Sequence, residues 1–414
     1  MKKTVALLLA TVLLLTLFGC TQSNTPETTK APATTAAPAE QTEAPAKTEP
    51  APATEPATEP APAEITVTDL IGREVTVTPG SYTRVVCIGA GALRLYCCIG
   101  DAALLCGVED IDNLSLADRP KMFDAVARPY VMAYGETFAA LPSCGVGGPQ
   151  AQTAEAEKIL ACEPDIVLSL YQDVEKEDAL QEQLGVPVIT LKSGAGAVFD
   201  EQFFSSLRLL GTLFAKEERA ETLIRFIQGE RAEIEGRTAD IPEEEKPGVY
   251  ICGLGNWGTT NHLMTAQNYI SFQVANVRNV VTDLEAPGIQ AIEAEKFVAL
   301  GEDMDILIID AAAVKNIKPL YAEDPGLFDA CKAWQEGEVY LELAYNAYYT
   351  NYEIVLINTW FIAKSVYPER FEDVDLAAKT SEITLAFYGL DLAEQIAAAS
   401  SGGCQQIDTA TFFE

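Results

Sequence analysis

Glu157-Lys158-Ile159-Leu160-Ala161 leads into Pro164-Asp165-Ile166-Val167-Leu168, and the same figure returns as Glu295-Lys296-Phe297-Val298-Ala299 before Met304-Asp305-Ile306-Leu307-Ile308. Each copy reads as a helix, a polar turn, and a strand opened by aspartate. An apolar run of this length after a helix is the mark of a strand buried on both faces of a parallel sheet. Two copies at matching places in two similar series predict two similar α/β lobes.

The surrounding sequence repeats that rhythm. A hairpin is expected over Ile65–Leu70 and Glu74–Val77, turned at Ile71-Gly72-Arg73. Strands are then predicted at Arg84–Ile88, Ala103–Val108, Asp165–Leu170 and Val186–Leu191, with helices at Gly91–Ile99 and Ala154–Ala161. After Pro247 the series restarts. Strands are expected at Gly248–Cys252, Asp305–Asp310 and Glu338–Leu343, and helices at Thr265–Val274, Glu293–Leu300 and Thr350–Val366. Between the two series, Phe203, Leu207, Leu210 and Phe214 mark one apolar helical face, and Ala220, Leu223, Ile224 and Ile227 mark another. The second helix, from Lys216 to Arg237, would reach ~33 Å at 1.5 Å per residue, enough for a rigid bridge. The fold class expected is therefore α/β: two doubly wound lobes, at 64–215 and 246–398, joined by one long helix at 216–238. A tail is expected at 399–414.

The chain opens with Met1-Lys2-Lys3, an apolar run from Val5 to Leu15, and Leu17-Phe18-Gly19-Cys20. A positive start, a short apolar stretch and small residues before a cleavage point describe a secretory signal. The run is short for a bilayer-spanning helix. Leu-Phe-Gly-Cys resembles a bacterial lipobox, which implies cleavage before Cys20, lipidation of its thiol, and an extracytoplasmic protein held at the cell membrane by lipid alone. Residues 21–63 contain no aromatic or large aliphatic residue, and Thr-Glu-Pro-Ala recurs at Thr48–Ala51, Thr54–Ala57 and Thr58–Ala61. Such a stretch has nothing to bury against the entropy of ordering, and its prolines keep it extended. It reads as a stalk.

Two lysines in the signal, with six glutamates and two lysines in the stalk, leave a net charge of −31 on residues 64–414 out of −33 for the whole chain. Nucleic acid and anionic bilayers are poor partners for that surface. Besides Cys20 there are nine cysteines, an odd number with no Cys-x-x-Cys pair, several of them inside apolar runs. They read as small buried hydrophobes rather than a disulfide framework. His262 is the only histidine. A site for a bare transition metal usually recruits several imidazoles, so no metal centre is expected.

Five ordered segments carry a family likeness: Val67-Thr68-Asp69-Leu70-Ile71-Gly72-Arg73-Glu74-Val75, Arg84-Val85-Val86-Cys87-Ile88-Gly89, the Glu157–Leu168 element, Arg219-Ala220-Glu221, and Gly337-Glu338-Val339-Tyr340. Together, from about Thr66 to Phe371, they resemble the ferric-siderophore and vitamin B12 binding proteins of ABC importers. The resemblance implies two lobes on one long helix, a ligand in the cleft between the lobes, no catalysis and no resident cofactor. It also implies that Glu157 and Glu295, one per lobe, dock onto arginines of a membrane permease. The expected cargo is a ferric chelate or a corrinoid, and the protein is expected to act as a monomer.

Ligands of open α/β sheets gather at the carboxyl ends of strands. In the first lobe this selects Gly89-Ala90-Gly91 with Arg94, a turn and helix start suited to negative charge. Two loops join it, Arg128-Pro129-Tyr130 and Gly145-Val146-Gly147-Gly148-Pro149. In the second lobe, Trp257 and His262 lie in a Gly-rich loop after a strand. Tyr345, Asn346, Tyr348 and Tyr349 follow another, where aromatics can stack on a flat chelate. The ligand-binding candidates are thus Arg94, Arg128, Tyr130, Trp257, His262, Tyr345, Asn346, Tyr348 and Tyr349.

Other readings compete. Gly89-Ala90-Gly91 with Glu109 twenty residues beyond Gly89 imitates a dinucleotide fingerprint, which would make an exported NAD-type oxidoreductase, but Arg94 stands where the third glycine belongs. Hydrolysis has little support, with one histidine and no Gly-x-Ser-x-Gly. Haem or another planar complex would suit the aromatics as well as a siderophore.

Overall fold

A computed structural model describes residues 63–124, 126–148, 151, 153–255 and 261–413. Cys20, the stalk and Trp257 lie outside the described residues. The chain begins its fold with an antiparallel hairpin, β1 (Ile65–Thr68) and β2 (Glu74–Val77), in register Ile65 to Val77. Asp69 closes its turn, accepting the Arg73 N–H at 2.9 Å.

The first lobe is built on a parallel sheet of β3 (Val85–Ile88), β6 (Ile166–Ser169) and β7 (Val188–Thr190), in that order. A short parallel pair, β4 (Val108–Glu109) and β5 (Ser143–Gly145), extends this layer through a bridge from Leu105 to Val85. Successive strand side chains point to opposite faces. Val85, Cys87, Ile166, Leu168 and Ile189 join a core shared with α1 (Ala92–Ile99) and α5 (Glu201–Leu213). Val86, Ile88, Val167 and Val188 join a smaller core under α3 (Ala156–Ala161) and α4 (Val174–Leu184). This two-sided burial is why the strands read as continuous apolar runs. The remaining helix of the lobe, α2 (Pro129–Ala139), corrects the expected Arg128-Pro129-Tyr130 loop. Proline at the first helical position lacks only an N–H that has no partner there anyway.

A 22-residue helix, α6 (Glu217–Thr238), leads to the second lobe. Its sheet has the order β10 (Arg278–Asn279), β8 (Gly248–Cys252), β12 (Ile306–Asp310), β13 (Val339–Glu342) and β14 (Gln405–Gln406). The first four strands run parallel, and β14 pairs antiparallel with β13. Alternation again divides the side chains. Val249, Ile251, Ile306 and Ile308 face the large core, with α7 (Ile270–Val274) and α11 (Tyr352–Val366). Tyr250, Cys252, Leu307, Ile309 and Leu341 face α8 (Ala294–Leu300), α9 (Val314–Glu323) and α10 (Lys332–Glu336). A small antiparallel pair, β9 (Met264–Thr265) and β11 (Gln290–Ala291), flanks the sheet.

The two-lobe α/β fold read from the sequence is the fold observed. Some details differ. The strand expected over Ala103–Val108 is a 3-10 turn at Ala102–Leu104 followed by the two-residue β4. The helix expected over Thr265–Val274 starts only at Ile270. The stretch after Tyr367 forms α12 (Leu376–Tyr388) and α13 (Ala393–Ala399), then supplies β14. Helix α12 reaches back to the first lobe. Tyr134 on α2 donates to Tyr388 O at 3.1 Å, and Arg219 at the start of α6 donates to Ala386 O at 2.5 Å. One apolar core therefore runs continuously through both lobes.

Candidate functional site

Three parallel strands of the first lobe end on one side and open a cavity of about 560 Å³. Gly89 and Gly91 after β3 have φ of 85° and 96°, which turns the chain sharply and leaves Ala90 on the rim. Leu170, Tyr171 and Gln172 follow β6; Lys192, Ser193, Gly194 and Ala195 follow β7. Gln172 ties the two loops together by donating to Leu170 O and Leu191 O. Ser206 on α5 fixes the Lys192 backbone, accepting its N–H at 2.9 Å and donating to its carbonyl at 2.5 Å. Among the described lining residues Lys192 is the only charged one, and its ammonium has no hydrogen-bond or ion-pair partner among them.

The far wall is Tyr349, delivered from the second lobe and 45 % exposed. It sits in a loop between β13 and α11 where two consecutive tyrosines have left-handed backbones, φ 51° at Tyr348 and 77° at Tyr349. Side-chain-bearing residues adopt that region at a cost, and they persist there only when neighbours hold them. Asp310 Oδ2 accepts the Tyr345 N–H at 2.9 Å, Asn358 brackets Leu343 at both its N–H and C=O, and Asn351 donates to Ala344 O. Asp310 lies opposite Glu342 on the neighbouring strand, and Glu342 accepts from the Tyr269 hydroxyl at 2.7 Å. Burial pushes both carboxyls up.

The other lobe holds the same loop. Arg94 on α1 donates to Ala347 O at 2.6 Å and to Thr350 O at 2.5 Å, with a longer contact to Tyr348 O at 3.4 Å. Tyr348 donates its hydroxyl to Glu109 Oε2 at 2.7 Å, and Glu109 Oε1 accepts the Gly89 N–H at 3.1 Å. Glu109 is buried, and burial pushes its carboxyl up to about 7 against the opposing pull of those two bonds. A Cβ at Gly147 would stand 2.8 Å from Glu109 Cβ, so the Gly-rich loop lies directly on that side chain.

Of the described residues expected to bind ligand, the structure brings Tyr349 alone to this cavity and places the others elsewhere. Arg94 is 0 % exposed, its guanidinium engaged by backbone carbonyls and stacked on the Tyr130 ring at 4.7 Å. Arg128 and the Tyr130 hydroxyl both bond buried Asp112, at 2.7 and 2.5 Å. His262 packs edge-on against Phe297 and Phe328 in the outer core of the second lobe, where burial lowers its pKa. Tyr345 is partly buried beside Tyr269, Asn346 donates to Gly255 O, and Tyr348 is buried. These side chains support the loop rather than line the cavity. Glu157 and Glu295 are exposed in the first turns of α3 and α8. The residues that sequence reasoning missed are Lys192, Tyr171 and Gln172. They follow the apolar runs of β6 and β7 directly, so the strand-end rule would have found them had it been applied to every strand of the first lobe.

Residues 112–341 match the periplasmic binding protein family. Over 253 residues the chain is 21 % identical to the molybdate-binding protein MolA of Haemophilus influenzae, covering 56 % of this chain and 69 % of that one. The molybdate-bound structure of MolA superposes with a TM-score of 0.60 at 19 % identity, over 79 % of this chain and 98 % of that one. A periplasmic solute-binding protein from Veillonella parvula gives 0.64 at 20 % identity, over 85 % and 100 %. The TroA-like binding protein FepB from the same organism gives 0.57 at 21 %, over 79 % and 97 %. The chain belongs to the periplasmic binding protein family, the extracytoplasmic solute-binding components of ABC transporters. Members of that family bind and deliver rather than catalyse. No helix among the described residues is long and apolar enough to cross a membrane.

Proposed function

We propose that the protein captures an anionic metal chelate of the ferric-siderophore kind in the 560 Å³ cavity and delivers it, as a monomer anchored by lipid at Cys20, to an ABC permease met by Glu157 and Glu295. Lys192 carries this reading. In a chain whose folded part bears −31, an unpartnered ammonium is the only charge on the described cavity wall. A cation held in a concave, partly dehydrated site selects for negative charge. Tyr171 and Tyr349 add aromatic faces and phenol groups suited to a chelate's flat ligands.

A second reading is a small oxyanion, favoured by the same lysine and by the relative in Haemophilus influenzae named for molybdate. A corrinoid or haem would use the tyrosines and could bring its phosphate or propionate groups to Lys192. The oxidoreductase reading loses its acid, because Glu109 is buried and engaged by Gly89 and Tyr348.

The deciding experiment is a thermal-shift panel of ferric siderophores, molybdate, cobalamin, haemin and NAD. A ligand at a hundred times its dissociation constant adds about 2.7 kcal/mol of stability. A shift with ferric chelates alone is the expected result. A shift with molybdate alone would transfer the cavity to oxyanions, and a shift with NAD alone would overturn the transport reading.

A further inference from the structure

Resting on the reading of the cavity as the solute site, we infer that Arg94 and Glu109 are positioning residues that clamp the Tyr348–Tyr349 segment in its left-handed backbone and so hold the Tyr349 ring as the cavity's second-lobe wall. Neither residue touches the cavity. Both act through the loop that carries Tyr349.

Three observations converge on this role. The first is the strain. Two adjacent non-glycine residues with positive φ would relax if the segment were free. The second is the completeness of the clamp. The Arg94 guanidinium reaches the carbonyls on both sides of the tyrosine pair, Ala347 and Thr350, while the Glu109 carboxylate takes the Tyr348 hydroxyl. Bridging carbonyls three residues apart needs a planar, multi-donor fork, which lysine cannot supply. The third is how the clamp is supported. The Arg94 guanidinium lies over Tyr130, whose hydroxyl is fixed by Asp112, itself paired with Arg128. Glu353 is buried near Arg94 and couples to it electrostatically, although burial pushes its own carboxyl up. Glu109 is fixed by the Gly89 N–H, in the turn that also forms the cavity rim. A Cβ built on Gly91 would stand 3.5 Å from Tyr349 Cβ, so the tyrosine rests directly over that glycine. Rim, clamp and wall are one connected unit.

The test needs no ligand. In the full-length protein, tetranitromethane should nitrate Tyr349, which is 45 % exposed, and spare Tyr348, as read by peptide mass mapping. In Arg94→Met and in Glu109→Ala, Tyr348 nitration should rise about tenfold through local opening, while nitration of Tyr130 stays low. Glu109→Gln, whose amide can still bond both Gly89 and Tyr348, should restore protection. A general structural role would instead expose tyrosines throughout and would not be rescued selectively. Unchanged protection of Tyr348 in both truncations would overturn the clamp. Should a truncation fail to fold, Tyr348→Phe removes one hydroxyl alone. Faster amide exchange over 345–351 then supports the clamp, and unchanged exchange overturns it. The solute panel can fail while this test succeeds, so the cavity reading and the clamp fall separately.

Discussion

The Tyr348 hydroxyl donates to Glu109 Oε2 at 2.7 Å, joining residues 239 positions apart and both buried. A phenol of the second lobe thus satisfies a carboxyl of the first at the point where the lobes meet the cavity rim. The carboxyl is the costly member of the pair, because burial disfavours its charged form.

That cost predicts a pH dependence. Asp112 and Glu155 face Glu109 and raise its pKa further, Tyr348 and Gly89 oppose them, and Tyr171, Cys87 and Cys144 stand nearby as neutral groups. The folded pKa of about 7 lies above the ordinary 4.5. The folded protein therefore holds this proton more tightly than the unfolded chain does. Its stabilising contribution is full below pH 4.5 and is lost as the pH rises through 7. Melting curves at pH 5 and pH 8 should show wild type losing on the order of 3 kcal/mol more than Glu109→Gln over that interval. Parallel pH profiles for the two proteins would refute the assignment.

Lys192→Ala should weaken binding of whichever anionic solute shifts the melting temperature by about tenfold to a hundredfold, the usual value of a charge-assisted hydrogen bond. Its melting temperature without solute should stay near wild type, because the ammonium makes no internal bond. Lys192→Arg should keep most of the affinity. Calorimetric titration of the three proteins decides it, and equal affinities would remove Lys192 from the site.

His262→Ala should do the reverse. Its ring fills space between Phe297 and Phe328, so truncation should lower stability by about 2 kcal/mol through lost packing. Solute affinity should not change. A loss of affinity with an unaltered melting temperature would return His262 to the ligand site.

These contrasts show what the sequence made legible. The sheet strands were readable because each is a short apolar run buried on two faces, and the long α6 because its apolar positions keep helical spacing. Helix α2 escaped because Arg128-Pro129 looks like a turn until the proline is placed at a first helical position. The site was harder for a different reason. Arginines and tyrosines near strand ends suggest ligand contact, yet whether they meet solvent depends on partners far away in the chain. Arg94 is consumed by carbonyls more than 250 residues distant, Tyr348 by Glu109, and Arg128 by Asp112. No local pattern announces those pairings. Lys192 opens the stretch Lys192-Ser193-Gly194-Ala195-Gly196 after β7, and stands in the cavity because Ser206 and the end of that strand place it there.

The connecting helix α6 is also tied to helices α11 and α12. Trp360 on α11 donates to Glu230 Oε2 at 2.7 Å, and Lys379 on α12 approaches the same carboxylate at 3.1 Å. Glu230→Ala would leave a buried indole N–H without its acceptor and the largely buried Lys379 ammonium with Glu382 as its only carboxylate partner. The expected loss is about 3 kcal/mol, measured by urea denaturation. Glu230→Gln should lose less, since its amide oxygen still accepts one bond. Equal stability of Glu230→Ala and wild type would show that this junction carries no load.

The cysteines give a last test that reaches both the fold and the N-terminus. All nine described thiols are free, eight are buried, and Cys404 is partly covered. Burial pushes the thiols up, Cys106 to about 11 and Cys331 to about 12, so little thiolate exists at neutral pH. The thiolate is the reactive form. Native membrane-derived protein mixed with Ellman's reagent at pH 8 should therefore show no fast-reacting thiol, with release limited by opening of the structure. In denaturant the count separates two states of the chain, which has ten cysteines in all. Protein purified from membranes should titrate nine thiols, because a thioether at Cys20 does not react. Protein made without lipidation should titrate ten. Ten thiols from the membrane-derived protein would show that Cys20 carries no lipid, and fast reaction of several thiols in the native state would contradict the packing of both lobes.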